Sequence, residues 1–342
     1  MEPFYRHFQL SETRLLSIFE SIAQKPLRDV TPLPPSPHID AADPSAADKQ
    51  LMVFRCAALT GEVEEVTVFV KKCVWKGKSE SVHYRYLAAA GVPAPRLYAA
   101  ALNAQGEEVI FLEPVTLTGF ESQSEGEWRE MLSLPARFNS CSITPEYAAH
   151  LHPYEQVGLL DENLWLTGLS AQPNDAQLEA GLRACGVSEQ VLPLKQAASK
   201  LFAQVEAQPK GLLHQDFHPD NFGWRGKHKQ MVVFDLHKNS HGPRFADVVP
   251  YLALPDWSGH KAFLDASDLD AAEDGSTRRE RLTRHYLEEY ARFGGEVVPP
   301  ETFRNETSAL FWAHKVTVLG WLAERKQDAA VQEVLEFLAG VR

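Results

Sequence analysis

Gly211-Leu-Leu-His-Gln-Asp-Phe-His-Pro-Asp-Asn-Phe-Gly-Trp224 holds His214-x-Asp216-x-x-x-x-Asn221. After a turn at Gly226 an apolar run, Met231-Val-Val-Phe234, ends in Asp235. A carboxylate, a carboxamide one loop later and a second carboxylate across a hairpin make a set suited to moving a phosphoryl group. One carboxylate orients a hydroxyl and accepts its proton, and oxygen ligands hold magnesium against the phosphates. Asp216 suits the first task; Asn221 and Asp235 suit the second. A tight loop plus a hairpin brings all three to one end of a short sheet.

The segment resembles the catalytic loop and metal-binding segment of the aminoglycoside phosphotransferase and choline kinase-like family. That family's usual pattern is H-G-D-x-H-x-x-N, then a strand ending in I-D. The later Gly242-Pro-Arg-Phe-Ala-Asp247 resembles its glycine-proline-x-x-x-aspartate segment. The resemblance implies a two-lobed protein-kinase-like α+β fold, with a small antiparallel-sheet N-lobe and a larger, mainly helical C-lobe. It implies Asp216 as catalytic base, Asn221 and Asp235 as magnesium ligands, and His214, His218 and Asp247 as supports of the loop. The implied cofactors are Mg2+ and ATP, with GTP as the alternative, and the acceptor is a small hydroxylated molecule such as an amino alcohol, aminoglycoside or sugar. Three departures stand out. Gln215 replaces the common glycine, Leu236-His237-Lys238 lacks the acidic residue often found there, and no glycine occurs between Met1 and Leu59. The loop expected over the phosphates, Ser36 to Lys49, is therefore no G-x-G-x-x-G turn.

Upstream, Val68-Phe-Val-Lys71 resembles the kinase strand whose lysine grips the α- and β-phosphates. Strand alternation puts Lys71 with Phe69 and Lys72 with Val70, so one lysine faces the cleft; the family pattern favours Lys71. Glu80, Tyr84 and Leu87 share one face of a helix, and a glutamate on a buried face wants a cation. Phe111-Leu112-Glu113 resembles the inter-lobe linker whose backbone bonds the adenine edge. Each residue also has a plainer reading: a solvated lysine pair, a helix-start glutamate, a hydrogen-bonding histidine.

The remaining pattern is coarse. A helix is expected over 11–24, capped by Ser11, with Leu15, Leu16, Phe19 and Ile22 as its stripe. Thr31 to Asp48, with prolines at 32, 34, 35, 37 and 44, reads as loop or edge strand. Strands are expected over Gln50–Leu59 and Val63–Lys72, joined by Thr60-Gly61-Glu62. A helix over Glu80–Ala90 is closed by Gly91, and strands follow over Arg96–Leu102 and Glu107–Leu112. Helical patterns then dominate, as in Leu192–Ala207, Ser276–Phe293 and Glu301–Glu324. The expected divisions are a helical extension over 1–28, a nucleotide-binding N-lobe over 29–113 and a catalytic and substrate-binding C-lobe over 114–342.

The 342 residues, 44% apolar and 23% charged, describe a soluble globular chain. A formal charge of −12 disfavours nucleic acid and anionic membrane as partners. Neither a membrane-spanning apolar run nor a signal-peptide layout is present, and Cys56, Cys73, Cys141 and Cys185 form no C-x-x-C pair. A cytoplasmic location is the default; oligomeric state stays open. Two rivals remain. His214, Asp216, His218, His228, Asp235, His237 and His241 form a potential metal-hydrolase ligand set, and the missing glycines fit a nucleotide-binding pseudokinase. The carboxylates Asp256, Asp265, Asp268, Asp270, Glu273 and Asp274 read as a solvated run or as the lining for a cationic acceptor.

Overall fold

The computed structural model describes residues 2–33, 48–73, 79–117, 124–153, 175–187, 190–217, 219–226, 230–252, 275–324, 326 and 328–341. Along the first third run α1 (Glu2–Phe8), α2 (Glu12–Ala23), β1 (Leu27–Pro32), β2 (Lys49–Ala58), β3 (Val63–Cys73), α3 (Glu80–Ala89), β4 (Leu97–Leu102), β5 (Glu108–Leu112) and β6 (Thr116–Leu117). Then come α4 (Glu125–Asn139), α5 (Pro145–Ala148), β7 (His152–Pro153), α6 (Asp175–Ala184), α7 (Val191–Glu206), β8 (Lys210–Leu213), β9 (Phe222–Arg225), β10 (Gln230–Val233) and β11 (Ser240–Pro243). The last stretch is helical: α8 (Val249–Leu252), α9 (Arg278–Arg292), α10 (Pro300–Thr317), α11 (Leu319–Glu324) and α12 (Asp328–Gly340).

The chain divides into a sheet unit, Met1–Thr118 with Phe222–His237, and a mainly helical unit, Gly119–Asn221 with Lys238–Arg342. An antiparallel-sheet unit and a helical one give the α+β class expected. The contacts draw the divisions differently from the expected ranges: residues 1–28 and the 222–237 hairpin both belong with the sheet. The reason is packing. Phe4, Phe8, Leu15 and Phe19 from α1 and α2 are buried with Phe54, Val68, Val70 and Phe111 of the sheet in one core. The Phe19 ring lies 4.4 Å from that of Phe54. Each such side chain contributes roughly 1.5–3 kcal/mol on burial, so these helices are structural parts of the sheet unit.

In that unit one sheet has the order β1-β2-β3-β5-β4, all antiparallel, and a second has β10-β9-β6. β1 carries Thr31 and Pro32 as an edge strand; residues 34–47 lie outside the described residues. The β2–β3 turn closes where the sequence placed it, with Ala58 N–H donating to Glu62 O at 2.8 Å and Gly61 at φ +91°. Val68 and Val70 face the aromatic core, which turns Phe69, Lys71 and Cys73 to the opposite face, toward α3.

In the helical unit α4 packs on α9 and α7 on α10, while β11 pairs with β7 and β8. The β8–β11 pairing, Leu213 opposite Ser240 through Lys210 opposite Pro243, carries the segment after β11 beneath the loop that leaves β8. Gly211 permits this: a Cβ there would lie 2.8 Å from the Asn139 carbonyl oxygen.

Candidate active site

In the sheet unit Lys71 and Glu80 meet Asp235. Lys71 Nζ lies 2.6 Å from Glu80 Oε2 and 2.5 Å from Asp235 Oδ1. Lys71 and Glu80 are buried, the pair that a buried glutamate calls for. Burial would lower the Lys71 pKa, but the charges of Glu80 and Asp235 outweigh it and raise it above the usual lysine value. Glu80 also accepts the Leu236 N–H at 3.2 Å and the Cys73 thiol at 3.5 Å. Asp235 is brought here by its hairpin. Val233 N–H donates to Pro93 O, and the Arg225 guanidinium donates to Ala94 O at 2.7 Å.

Asp235 receives two further groups, Lys49 Nζ on Oδ2 at 2.7 Å and His237 Nδ1 on Oδ1 at 2.6 Å. Burial would raise its pKa, but the Lys71 charge, the His237 hydrogen bond and Lys49 hold the carboxyl well below the usual range. Its backbone sits at φ +62°, a left-handed conformation that costs a non-glycine residue roughly 1–2 kcal/mol. The contacts on its side chain and the Glu80–Leu236 bond beside it hold the conformation. Lys72 points the other way, to Asp48 at 3.0 Å. Of the two lysines, Lys71 is the one facing Glu80 and Asp235.

In the helical unit the loop after β8 is held by its backbone. Asp247 accepts the N–H of His214 at 2.9 Å and of Gln215 at 3.0 Å. Asn139 locks the bracket: its amide donates to Asp247 Oδ2 and Leu212 O, and its oxygen accepts the Tyr286 hydroxyl. Burial pushes the Asp247 pKa up against these hydrogen bonds. His214 Nδ1 accepts the Asp216 N–H at 3.2 Å, so its visible task is structural. Asn221 donates to Asp216 O at 2.8 Å, and Tyr251 donates to Phe217 O at 2.6 Å. The Asp216 carboxylate pairs with Lys238 Nζ at 2.9 Å. Gln215 stands at φ +62°, which explains why glycine is the common residue at this point of the pattern.

Asn221 and Asp235 offer hard oxygen donors, the kind magnesium takes. Lys71 and Lys49 already place cationic groups on both oxygens of Asp235; the residues fit a magnesium ion in chemical type. Among the described residues no group of three or more His, Cys, Asp or Glu is placed to hold a metal. His218 and His228 lie outside the described residues. So do Asp256, Asp265, Asp268, Asp270, Glu273 and Asp274. A cavity of about 550 Å³ in the helical unit is lined by Arg279, Arg284 and Arg304 together with Glu280. Phe111 and Leu112 lie within β5, flanked by β3 and β4, and Glu113 N–H donates to Arg96 O at 2.9 Å. Sequence reading gave no role to the side chains of Lys49, Lys238, Asn139 and Tyr286, and named His237 only in the rival metal-ligand set. The alternation that separates Lys71 from Lys72 also bears on Lys49, since Lys49 and Lys71 are register partners across β2 and β3.

A family model described as the phosphotransferase enzyme family matches residues 83–295, more than half of the chain. The chain belongs to the phosphotransferase enzyme family. The matched span contains Asp216, Asn221, Asp235 and Asp247, and begins after Lys71 and Glu80. The motif resemblance and the expectation of a phosphotransferase enzyme are both met by this membership. No curated protein matches the chain in sequence. Among solved structures, a spectinomycin phosphotransferase in complex with ADP and spectinomycin is 12% identical over 97% of this chain and 98% of its own, with a TM-score of 0.42. A Plasmodium vivax ethanolamine kinase is 9% identical over 91% and 82%, with a TM-score of 0.40. The GDP complex of aminoglycoside 2'-phosphotransferase-IIIa is 12% identical over 96% and 98%, with a TM-score of 0.41. Family membership rests on the model match. Among the described residues no helix is long and apolar enough to cross a membrane.

Proposed function

We propose that this phosphotransferase moves the γ-phosphoryl of ATP or GTP to a hydroxyl of a small molecule. The sheet unit binds the nucleotide and the helical unit supplies the base. The observation that carries the reading is the bracket on the Asp216 loop. Asp247 accepts the two N–H groups before Asp216, and Asn221 holds the Asp216 carbonyl. A loop fixed on both sides presents one carboxylate in one place, which general-base work requires.

Asp216 orients the acceptor hydroxyl and takes its proton while the hydroxyl oxygen bonds to the γ-phosphorus. The bond from that phosphorus to the bridging oxygen breaks, and a nucleoside diphosphate leaves. Lys71, held by Glu80, positions the polyphosphate. Asn221 and Asp235 would hold magnesium, which when bound neutralises phosphate charge. The acceptor is proposed by chemistry alone: a small hydroxylated molecule in the class of amino alcohols, aminoglycosides or sugars. An amine-bearing acceptor suits a chain with a formal charge of −12. Its apparent affinity then falls as salt rises.

The test is a coupled-turnover screen of ATP and GTP against these acceptors, repeated with Asp216→Asn. The variant should fold and bind nucleotide as before, with acceptor-dependent turnover reduced about 10²–10⁴-fold. Wild-type turnover in the variant would remove Asp216 from the mechanism.

A further inference from the structure

Lys49 has no part in the proposed mechanism so far, yet it shares a carboxylate with the lysine that does. It is the register partner of Lys71 across β2 and β3. The two ammonium groups approach opposite oxygens of Asp235, Lys71 on Oδ1 and Lys49 on Oδ2. Their surroundings differ. The Lys71 side chain is 8% exposed and has Glu80 as a second partner, while that of Lys49 is 39% exposed. Lys71 is a fixed charge and Lys49 a movable one.

Charge counting shows what the arrangement is poised to do. Lys49 and Lys71 are balanced by Glu80 and Asp235. If Asp235 serves a magnesium ion, as the proposed function has it, that carboxylate is spent on the metal. Lys71 still has Glu80. Lys49 then lacks a carboxylate, on a flexible stem more than a third exposed, beside the lysine assigned to the phosphates. An ammonium so placed seeks an anion. The sequence supplies the reason such a group is needed: with no glycine before Gly61, the stretch preceding Lys49 has no G-x-G-x-x-G turn to offer backbone N–H groups to phosphates.

We propose that Lys49 is a second phosphate-binding lysine, which moves from Asp235 to the polyphosphate of the bound nucleotide. The proposal rests on the nucleotide-binding reading above and adds a residue to it.

Isothermal titration of the full chain with magnesium and no acceptor tests this, using ATP, GTP and the matching nucleosides against wild type, Lys49→Ala and Lys49→Arg. Lys49→Ala should weaken triphosphate binding about tenfold, the size of one charge-assisted hydrogen bond. Nucleoside binding should be unchanged, and Lys49→Arg should keep most of the triphosphate affinity. Unchanged triphosphate binding in Lys49→Ala, with wild type binding normally, overturns the proposal alone. Equal loss of triphosphate and nucleoside affinity also overturns it, because Lys49 would then support the fold. A wild type that binds neither triphosphate overturns the nucleotide-binding reading itself, and the proposal with it.

Discussion

Lys71 and Lys72 are neighbours in sequence and opposites in environment. Lys71 is enclosed between two carboxylates, and Lys72 meets Asp48 at 3.0 Å on the other face of β3. Lys71→Ala leaves Glu80 and Asp235 without their shared cation, a loss of about 3–5 kcal/mol for a buried pair, and should lower both Tm and triphosphate affinity. Lys72→Ala removes a partly exposed pair worth at most about 1 kcal/mol and should leave nucleotide binding as it was. Thermal melts and nucleotide titrations on both variants check this; a Lys72 variant more sensitive than the Lys71 variant would reverse the assignment. Strand alternation, with its period of two, separated Lys71 from Lys72, and the family pattern chose Lys71 between them. The partners of the Asp235 carboxylate were not legible. Lys49 reaches Asp235 through tertiary pairing, which no spacing rule announces, and His237 folds back onto it from two residues along the chain. Asp247 was legible through its motif, whereas Asn139, which holds it, sits at a helix end with no local signal.

At the scale of elements, α4 bears on the site through Asn139 at one end and is tied to α9 through Glu125 at the other. Arg281 Nη2 on α9 meets Glu125 Oε2 at 2.8 Å, and Arg129 one turn along meets Oε1 at 2.9 Å. The Arg281 hydrogen bonds, against the upward push of burial and with help from Arg129, lower the Glu125 pKa to about 2. A carboxylate depressed in the folded state stabilises above its unfolded value, about 4.3, and that contribution is lost as pH falls toward 2. The Glu125 side chain is 31% exposed, so its share is about 0.5–1 kcal/mol after solvent screening. Glu125→Gln should therefore melt about 1–3 °C below wild type at pH 7, with the gap narrowing from pH 4.5 downward. A gap that widens on acidification would show that the bond is not what matters there. The Ser11 cap was legible, and Ser11 accepts from Arg14 N–H; the capping box of Thr277 and Glu280 that starts α9 is a finding of the structure. The expected helix over 301–324 divides at Val318 into α10 and α11; the apolar pattern runs through the division and does not mark it.

For the whole molecule, the sequence order of the units is not their spatial grouping. Composition shifts from strand to helix near residue 113, and a reading by contiguous stretches places the boundary there. Residues 222–237 nevertheless return to the sheet unit, because β9 pairs with β6 and the Arg225 and Val233 bonds reach back to Ala94 and Pro93. That return is a long-range pairing, which a local pattern does not announce. It has a consequence for folding. A fragment of residues 1–118 keeps the five-stranded sheet and its aromatic core but lacks Asp235 and the Leu236 N–H that Glu80 accepts. Lys71 then keeps one of its two carboxylates, and Lys49 has lost its own. Removing one partner from a buried charge costs about 3–5 kcal/mol, a large share of the 5–15 kcal/mol that typically holds a domain together. The fragment should show strand and helix signal by circular dichroism without the cooperative melt of the full chain. Adding a peptide of residues 222–237 should sharpen the transition, and an Asp235→Ala peptide should do so less. A fragment that melts as sharply and at the same temperature as the full chain would show that the sheet unit is complete without the hairpin.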